Sequence, residues 1–224
     1  MTGAEARGRT IDVRDLAHGL LLVAIAGYLD AVGYLALSGL FVSFMSGNTT
    51  QFAATLASDA QAALATLVLI AAFVAGAGSG AAIAELLPRF GAAVILALEC
   101  ALIVMALVAA AEGVTVVHLS PLAVAMGLQN NLRRTLAGTK LGSTFVSGAL
   151  VSLGQGLARH LIGRADHGSW LPHAATWGAL VIGAIVGALI FLASGLAATL
   201  IAPAVATGVL AVSHARAAAR KAIA

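Results

Sequence analysis

Charge is what this sequence has least of. Asp, Glu, Lys and Arg make up only 9% of its 224 residues, against about 25% in soluble globular proteins. A water-soluble fold is therefore excluded. Cysteine occurs once, at Cys100 inside an apolar run, which rules out a disulfide framework and a thiolate zinc site. The histidines at 160, 167 and 173 share one polar loop, at spacings that match no metal-site template. They are expected to face solvent or lipid headgroups. No Ser-His-Asp arrangement, phosphate-binding loop or cysteine pair is legible. Neither an enzyme nor a cofactor or metal is expected.

What is there is apolar. Hydrophobic residues reach 61% and the mean hydropathy is +1.02, the composition of an integral membrane protein whose first partner is the lipid bilayer. The pI of 9.6 could point to nucleic acid. The 12 Lys and Arg sit instead at the ends of apolar runs, where membrane topology places them, so nucleic acid is not an expected partner. The first run, Leu16 to Leu37, is longer than a signal-peptide core of about 7–15 residues and contains Asp30, so it reads as a retained span.

An all-α chain follows, with spans at Leu16–Leu37, Ala63–Leu87, Gly91–Ala111, Val114–Leu132, Ala174–Ala193 and Leu196–Val212, the last two joined by a Ser194-Gly195 turn. Two further segments, Leu40–Ala57 and Gly142–Ala158, are apolar at their ends and polar within. If they cross the membrane there are eight spans; if they dip in and return there are six. Charge discriminates. With six spans and the N-terminus inside, all 12 Lys and Arg are cytoplasmic, whereas eight spans put Arg89, Arg133, Arg134 and Lys140 outside. Six spans with two re-entrant segments is the expectation. Residues 1–14 and the basic residues 214–224 are then cytoplasmic tails in a bacterial inner membrane.

The chain also echoes itself. Phe44, Ser46, Gly47, Leu56 and Ala57 recur 101 positions later as Phe145, Ser147, Gly148, Leu157 and Ala158, and Gly27 recurs 100 later as Gly127. Asp30 then corresponds to Asn130. Halves of three spans each, residues 15–112 and 113–213, enter from opposite sides, which is the pattern of inverted-topology repeats.

The polar residues inside these runs are the candidate site. Asp30 at a span centre costs about 2.5–3.5 kcal/mol on insertion scales, so it faces the protein interior. It is either a proton or cation site on a transport path or a structural acid bonded to backbone. Glu99, mid-span beside Cys100, has the same two readings. Ser46, Gly47, Asn48, Thr49, Thr50 and Gln51 read as a turn followed by a helix whose inward N-terminus suits an anion. Ser147 and Gly148 would supply the opposed copy. Gln129, Asn130 and Asn131 line the same path. The alternative for the Ser-Gly turns is small-residue packing, which is also the reading of Gly76-x-x-x-Gly80 and Gly183-x-x-x-Gly187.

Together, Gly27-Tyr-Leu-Asp30-Ala with Phe44-Met-Ser46-Gly47-Asn48-Thr49, and Gly127-Leu-Gln129-Asn130 with Phe145-Val-Ser147-Gly148, resemble the YoaK-like family of bacterial inner-membrane proteins. That family usually has Thr where Ser46 and Ser147 stand and a Thr pair at Ser143-Thr144. The resemblance runs from about residue 15 to 213 and implies a multi-spanning membrane protein of unknown function. From the residues themselves, the expectation is a transporter or channel for a small polar or anionic solute, or a proton, with Asp30 as coupling or gating acid. The alternative is a non-transporting scaffold. A homodimer is compatible with the composition, but no residue pattern argues for one.

Overall fold

Hydrophobic runs of helical length become helices because, in lipid, only a helix satisfies its own backbone. The computed structural model describes residues 13–136, 146–164 and 170–223. Among them the elements are α1 Val13–Ala36, α2 Met45–Thr55, α3 Ala60–Leu86, α4 Gly91–Ala109, α5 Val116–Leu136, α6 Val146–Leu161 and α7 Leu171–Ile223. The α3 N-terminus is set by Asp59, whose carboxylate accepts hydrogen bonds from the amides of Gln61 and Ala62. Helix α7 is interrupted at Gly195, where φ 76° and ψ 175° are reachable without strain only by glycine. It is therefore two arms, α7a (residues 171–194) and α7b (residues 196–223), divided at the expected Ser194-Gly195 turn.

Among the described residues, four helical stretches are long and apolar enough to cross a membrane: Leu16–Ala36, Ala60–Leu86, Gly91–Ala109 and Leu171–Ala222. The α5 helix is more polar, yet Leu119, Leu122, Ala123, Ala125, Met126, Leu128 and Gln129 are all buried. Its neighbours shield it from lipid.

The core is two stacked layers. One contains Ile25, Leu29 and Val32 of α1, Leu69 of α3, Ile103 and Ala106 of α4, Leu119, Leu122, Ala123, Ala125 and Met126 of α5, and Leu200 and Ala204 of α7b. The other contains Leu22, Ile95, Leu96, Leu128, Leu132, Leu210 and Ala211, with Ile83 packed against it. Chain order through the layers gives each helix a direction. The α1 and α4 helices run from the second layer to the first; α3, α5 and α7b run the other way. Thus α3 is antiparallel to α1 although α2 lies between them. The short α2, with 11 residues, returns the chain to the end it came from.

Two helix crossings are built alike. A methyl group added at Gly27 would strike the Leu180 carbonyl; at Gly183, that of Ala24; at Gly187, that of Tyr28. In the other crossing, a methyl at Gly127 would strike the Phe73 carbonyl; at Gly76, that of Val124; at Gly80, it would strike the Asn131 amide and press on the Leu128 carbonyl. A shift of 100 carries Ala24, Gly27 and Tyr28 onto Val124, Gly127 and Leu128. A shift of 107 carries Phe73, Gly76 and Gly80 onto Leu180, Gly183 and Gly187. The α1–α7a and α3–α5 pairs are thus the same parallel crossing in the same register, and each joins a helix of the first half to one of the second. Close approach through small residues compensates for the weak hydrophobic drive between helices in lipid.

One proline frees a carbonyl for a further inter-helix bond. Pro203 has no N–H for the carbonyl of Thr199, and the Tyr28 hydroxyl donates to that carbonyl instead, at 2.7 Å. At the far end of α1, the rings of His18 and His214 lie 5.2 Å apart.

The boundaries differ from expectation in one informative place. Ser46 and Gly47 are not a turn; they lie in the first turn of α2, and the irregular backbone is upstream, at residues 37–44. The polar side chains that suggested a break bond back within the helix, Thr49 to the Met45 carbonyl and Thr50 to that of Ser46. Ser147 and Gly148 likewise lie in the first turn of α6, while Phe145, Ser143 and Thr144 fall outside the described residues.

Gly76→Leu and Gly183→Leu are expected to destabilise by more than the about 1–3 kcal/mol of ordinary overpacking, because each meets backbone. Gly78→Ala, with open space around it, is expected to be neutral or to stabilise by up to about 1 kcal/mol. Unfolding in mixed micelles measures all three.

Candidate functional site

The chain leaves α1 through Ser38 (φ 52°) and Gly39 (φ 103°) and doubles back along that helix. Residues 40–44 then run without helical bonds beside α1, so their amides need other partners. Two side chains of the expected site provide them. The Asp30 carboxylate accepts from the Val42 amide (2.9 Å) and the Ser43 amide (2.6 Å) on Oδ1, and from the Ser43 hydroxyl (2.6 Å) on Oδ2. Asn48 is fully buried. Its Oδ1 accepts from the Phe41 amide at 2.9 Å, and its Nδ2 donates to the Phe41 carbonyl at 2.7 Å. Every N–H of residues 41–43 is thereby bonded to one of these two side chains. The acid that precedes the connector and the amide that follows it clamp it from both sides.

Asp30 is not sealed in. Gly27, Asp30, Ala31 and Tyr34 share one face of α1 at helical spacing. That face lines a groove of about 470 Å³ whose other walls are Phe41 and Phe44 of the connector and Leu180, Ala184 and Ala188 of α7a. Tyr34 and Phe44 are exposed while Asp30 is half-buried. The rings form a chain, Tyr34 to Phe41 at 5.3 Å and Phe41 to Phe44 at 5.2 Å edge-on. The lack of a side chain at Gly47 makes room for this arrangement, since a methyl there would strike the Phe44 ring.

The amides of α5 do different work. Gln129 is buried and donates to the Leu22 carbonyl of α1 at 2.6 Å, and Asn131 donates to the Ala77 carbonyl of α3 at 3.0 Å. Asn130 donates to the Met126 carbonyl of its own helix. Glu99 is fully buried on α4, remote in the chain from the connector. Gln51, Thr49 and Thr50 lie along α2, the last two exposed. Among the described residues α2 packs on α3 and α6 on α7, and the two short helices do not touch. The structure thus brings Asp30 and Asn48 together on one connector, and it does not bring Ser46–Gly47 against Ser147–Gly148. Four participants were not among the expected site residues: Ser43, Tyr34, Phe41, and Phe44, which had stood out only as part of the internal echo. Tyr34 was findable, four residues after Asp30 on the same helical face; the others depend on a chain reversal.

Comparison with known proteins places the chain in context. A family model described as a protein of unknown function (DUF1275) matches residues 18–213. The UPF0700 transmembrane protein RA0705 of Rhizobium meliloti (strain 1021) is 34% identical over 196 residues, covering 85% of this chain and 84% of that protein. No solved structure matches.

Asn48→Ala is expected to leave the Phe41 N–H and C=O unpaired, at about 1–3 kcal/mol for each group. Asp30→Ala should destabilise more than Asp30→Asn, whose amide oxygen still accepts from Val42 and Ser43. Equal losses for the two Asp30 variants in an unfolding titration would contradict the clamp.

Proposed function

The chain belongs to the DUF1275 family of membrane proteins, and from that premise we propose that it is a transporter or channel for a small polar solute, built from two inverted halves, with Asp30 as its coupling or gating acid. One observation carries this reading: the register-matched glycine crossings, α1 on α7a and α3 on α5, related by fixed shifts along the chain. Inverted repeats that interlock in this way are the architecture of many secondary transporters, whose halves rock against each other around a central site.

The membrane topology follows. Six spans, α1, α3, α4, α5, α7a and α7b, alternate in direction, and α2 and α6 are short re-entrant helices. The antiparallel relation of α3 to α1 supports this, as does the charge count. Both termini are cytoplasmic in a bacterial inner membrane, and the connector 37–44 with the Asp30 groove lies toward the outer side. A carboxylate at the groove argues against an anionic solute there. The Ser46–Gly47 and Ser147–Gly148 pairs, which do not meet, are left out of the path.

A scaffold reading draws on a different observation. The bonds that Asp30 accepts come from the connector, and Asn48 accepts from the Phe41 amide and donates to the Phe41 carbonyl and the Met45 sulfur, so these side chains have structural work without any solute.

Labelling separates the topologies. In a Cys100→Ser background, Asp59→Cys and Glu112→Cys are expected to react with an impermeant maleimide from outside, and Arg89→Cys only after the membrane is opened. Outside labelling at position 89 would end the six-span reading. For any solute the wild type moves, Asp30→Asn should abolish uptake with insertion intact. Undiminished uptake would return Asp30 to a purely structural role.

A further inference from the structure

We propose that the groove between α1, the 40–44 connector and α7a is a binding site for a small organic cation of the ammonium type. The inference shares Asp30 with the transport reading but stands on the groove alone, so binding without transport leaves it intact.

Three observations converge. The groove, about 470 Å³, falls within the about 300–1,000 Å³ of small-molecule sites. Its lining is aromatic and aliphatic with one acid: among the described residues Asp30 is the only charged side chain on it, and no Lys, Arg or His lines it. The clamp also leaves that acid without a counter-charge. Its donors, the Val42, Ser43 and Phe44 amides and the Ser43 hydroxyl, are all neutral. Among the described residues no cation lines the groove to balance the carboxylate.

The rings complete the chemistry. Tyr34 and Phe44 stand exposed at the groove, with Phe41 between them and within 5.3 Å of each ring. Aromatic faces attract a cation through the ring quadrupole, more strongly where water is scarce. A carboxylate paired with several rings favours a weakly hydrated, alkylated ammonium over a metal ion, which would need several oxygen ligands. An anion would meet the Asp30 charge and, among the described residues, no compensating cation. A neutral apolar molecule would bury against the rings but leave the carboxylate unmatched.

The proposed occupant is a free solute. Ammonium-bearing headgroups share the chemistry, so the bilayer composition of the test separates the two.

The test is equilibrium binding to the full chain in nanodiscs of phosphatidylglycerol, which carries no ammonium group, with empty discs as the blank. The probes are benzyltrimethylammonium and its neutral carbon isostere, neopentylbenzene. Saturable binding of the cation is expected, with the isostere weaker by about tenfold or more. Tyr34→Leu, at an exposed position outside the clamp, should weaken the cation by about three- to thirtyfold and the isostere little. Asp30→Asn should remove the preference for charge. Overturning results are an absence of saturable binding, equal affinity for the two probes, or Tyr34→Leu binding the cation as wild type does. If phosphatidylcholine in the disc displaces the probe about tenfold or more, the occupant is a lipid headgroup and the free-solute assignment fails.

Discussion

Peptide groups cannot go unbonded where water is scarce, and this constraint shapes the chain around Asp30. Helices meet it internally, apart from places such as the Thr199 carbonyl that Pro203 leaves open and Tyr28 bonds instead. The 40–44 connector cannot, because it runs extended beside α1. Asp30 and Asn48 meet its demand from opposite sides, one taking the amides of residues 42 and 43, the other both polar groups of Phe41. A charged residue that would otherwise be a liability in a span is offset by the connector's donors. The same clamp holds Phe41 between Tyr34 and Phe44 and so makes the groove.

A second constraint sets how the helices assemble. Between membrane helices there is little hydrophobic drive, so affinity comes from close van der Waals contact and a few hydrogen bonds. The six crossing glycines supply the first, bringing backbone against backbone. Gln129 to Leu22, Asn131 to Ala77 and Tyr28 to Thr199 supply the second. Because each close crossing joins one half of the chain to the other, neither half holds its own helices alone. Gly80 shows the economy of the arrangement, since its missing side chain also admits the Asn131 amide.

Much of the fold was legible from sequence, for a physical reason. Span-length apolar runs have one solution in lipid, and five of the six expected runs begin and end within about four residues of a helix or helix arm, the exception being the last, which continues past Val212 to Ile223. The split of α7 was readable in Ser194-Gly195. Helix direction, with α3 opposed to α1, agrees with the count of Lys and Arg at the run ends. Local polarity misled at Ser46–Thr50, where hydroxyls and amides looked like a break but bond within a helix or reach back to the connector. Asp30 and Asn48 stood out as polar residues in apolar runs. Their partners did not: Ser43 and Phe41 are ordinary residues that matter only because the chain reverses at Ser38-Gly39. The echo between Phe44-x-Ser-Gly and Phe145-x-Ser-Gly suggested two facing turns. The stronger internal correspondence lies in the glycines of the crossings, visible once contacts fix the register.

Residue-resolved hydrogen exchange at Phe41, Val42 and Ser43, with the protein in nanodiscs, tests the clamp most directly. All three amides should be protected in the wild type. Asp30→Ala should release Val42 and Ser43 while Phe41 stays slow, and Asn48→Ala should release Phe41 first. Rapid exchange of these amides in the wild type, or the same pattern from both substitutions, would contradict it.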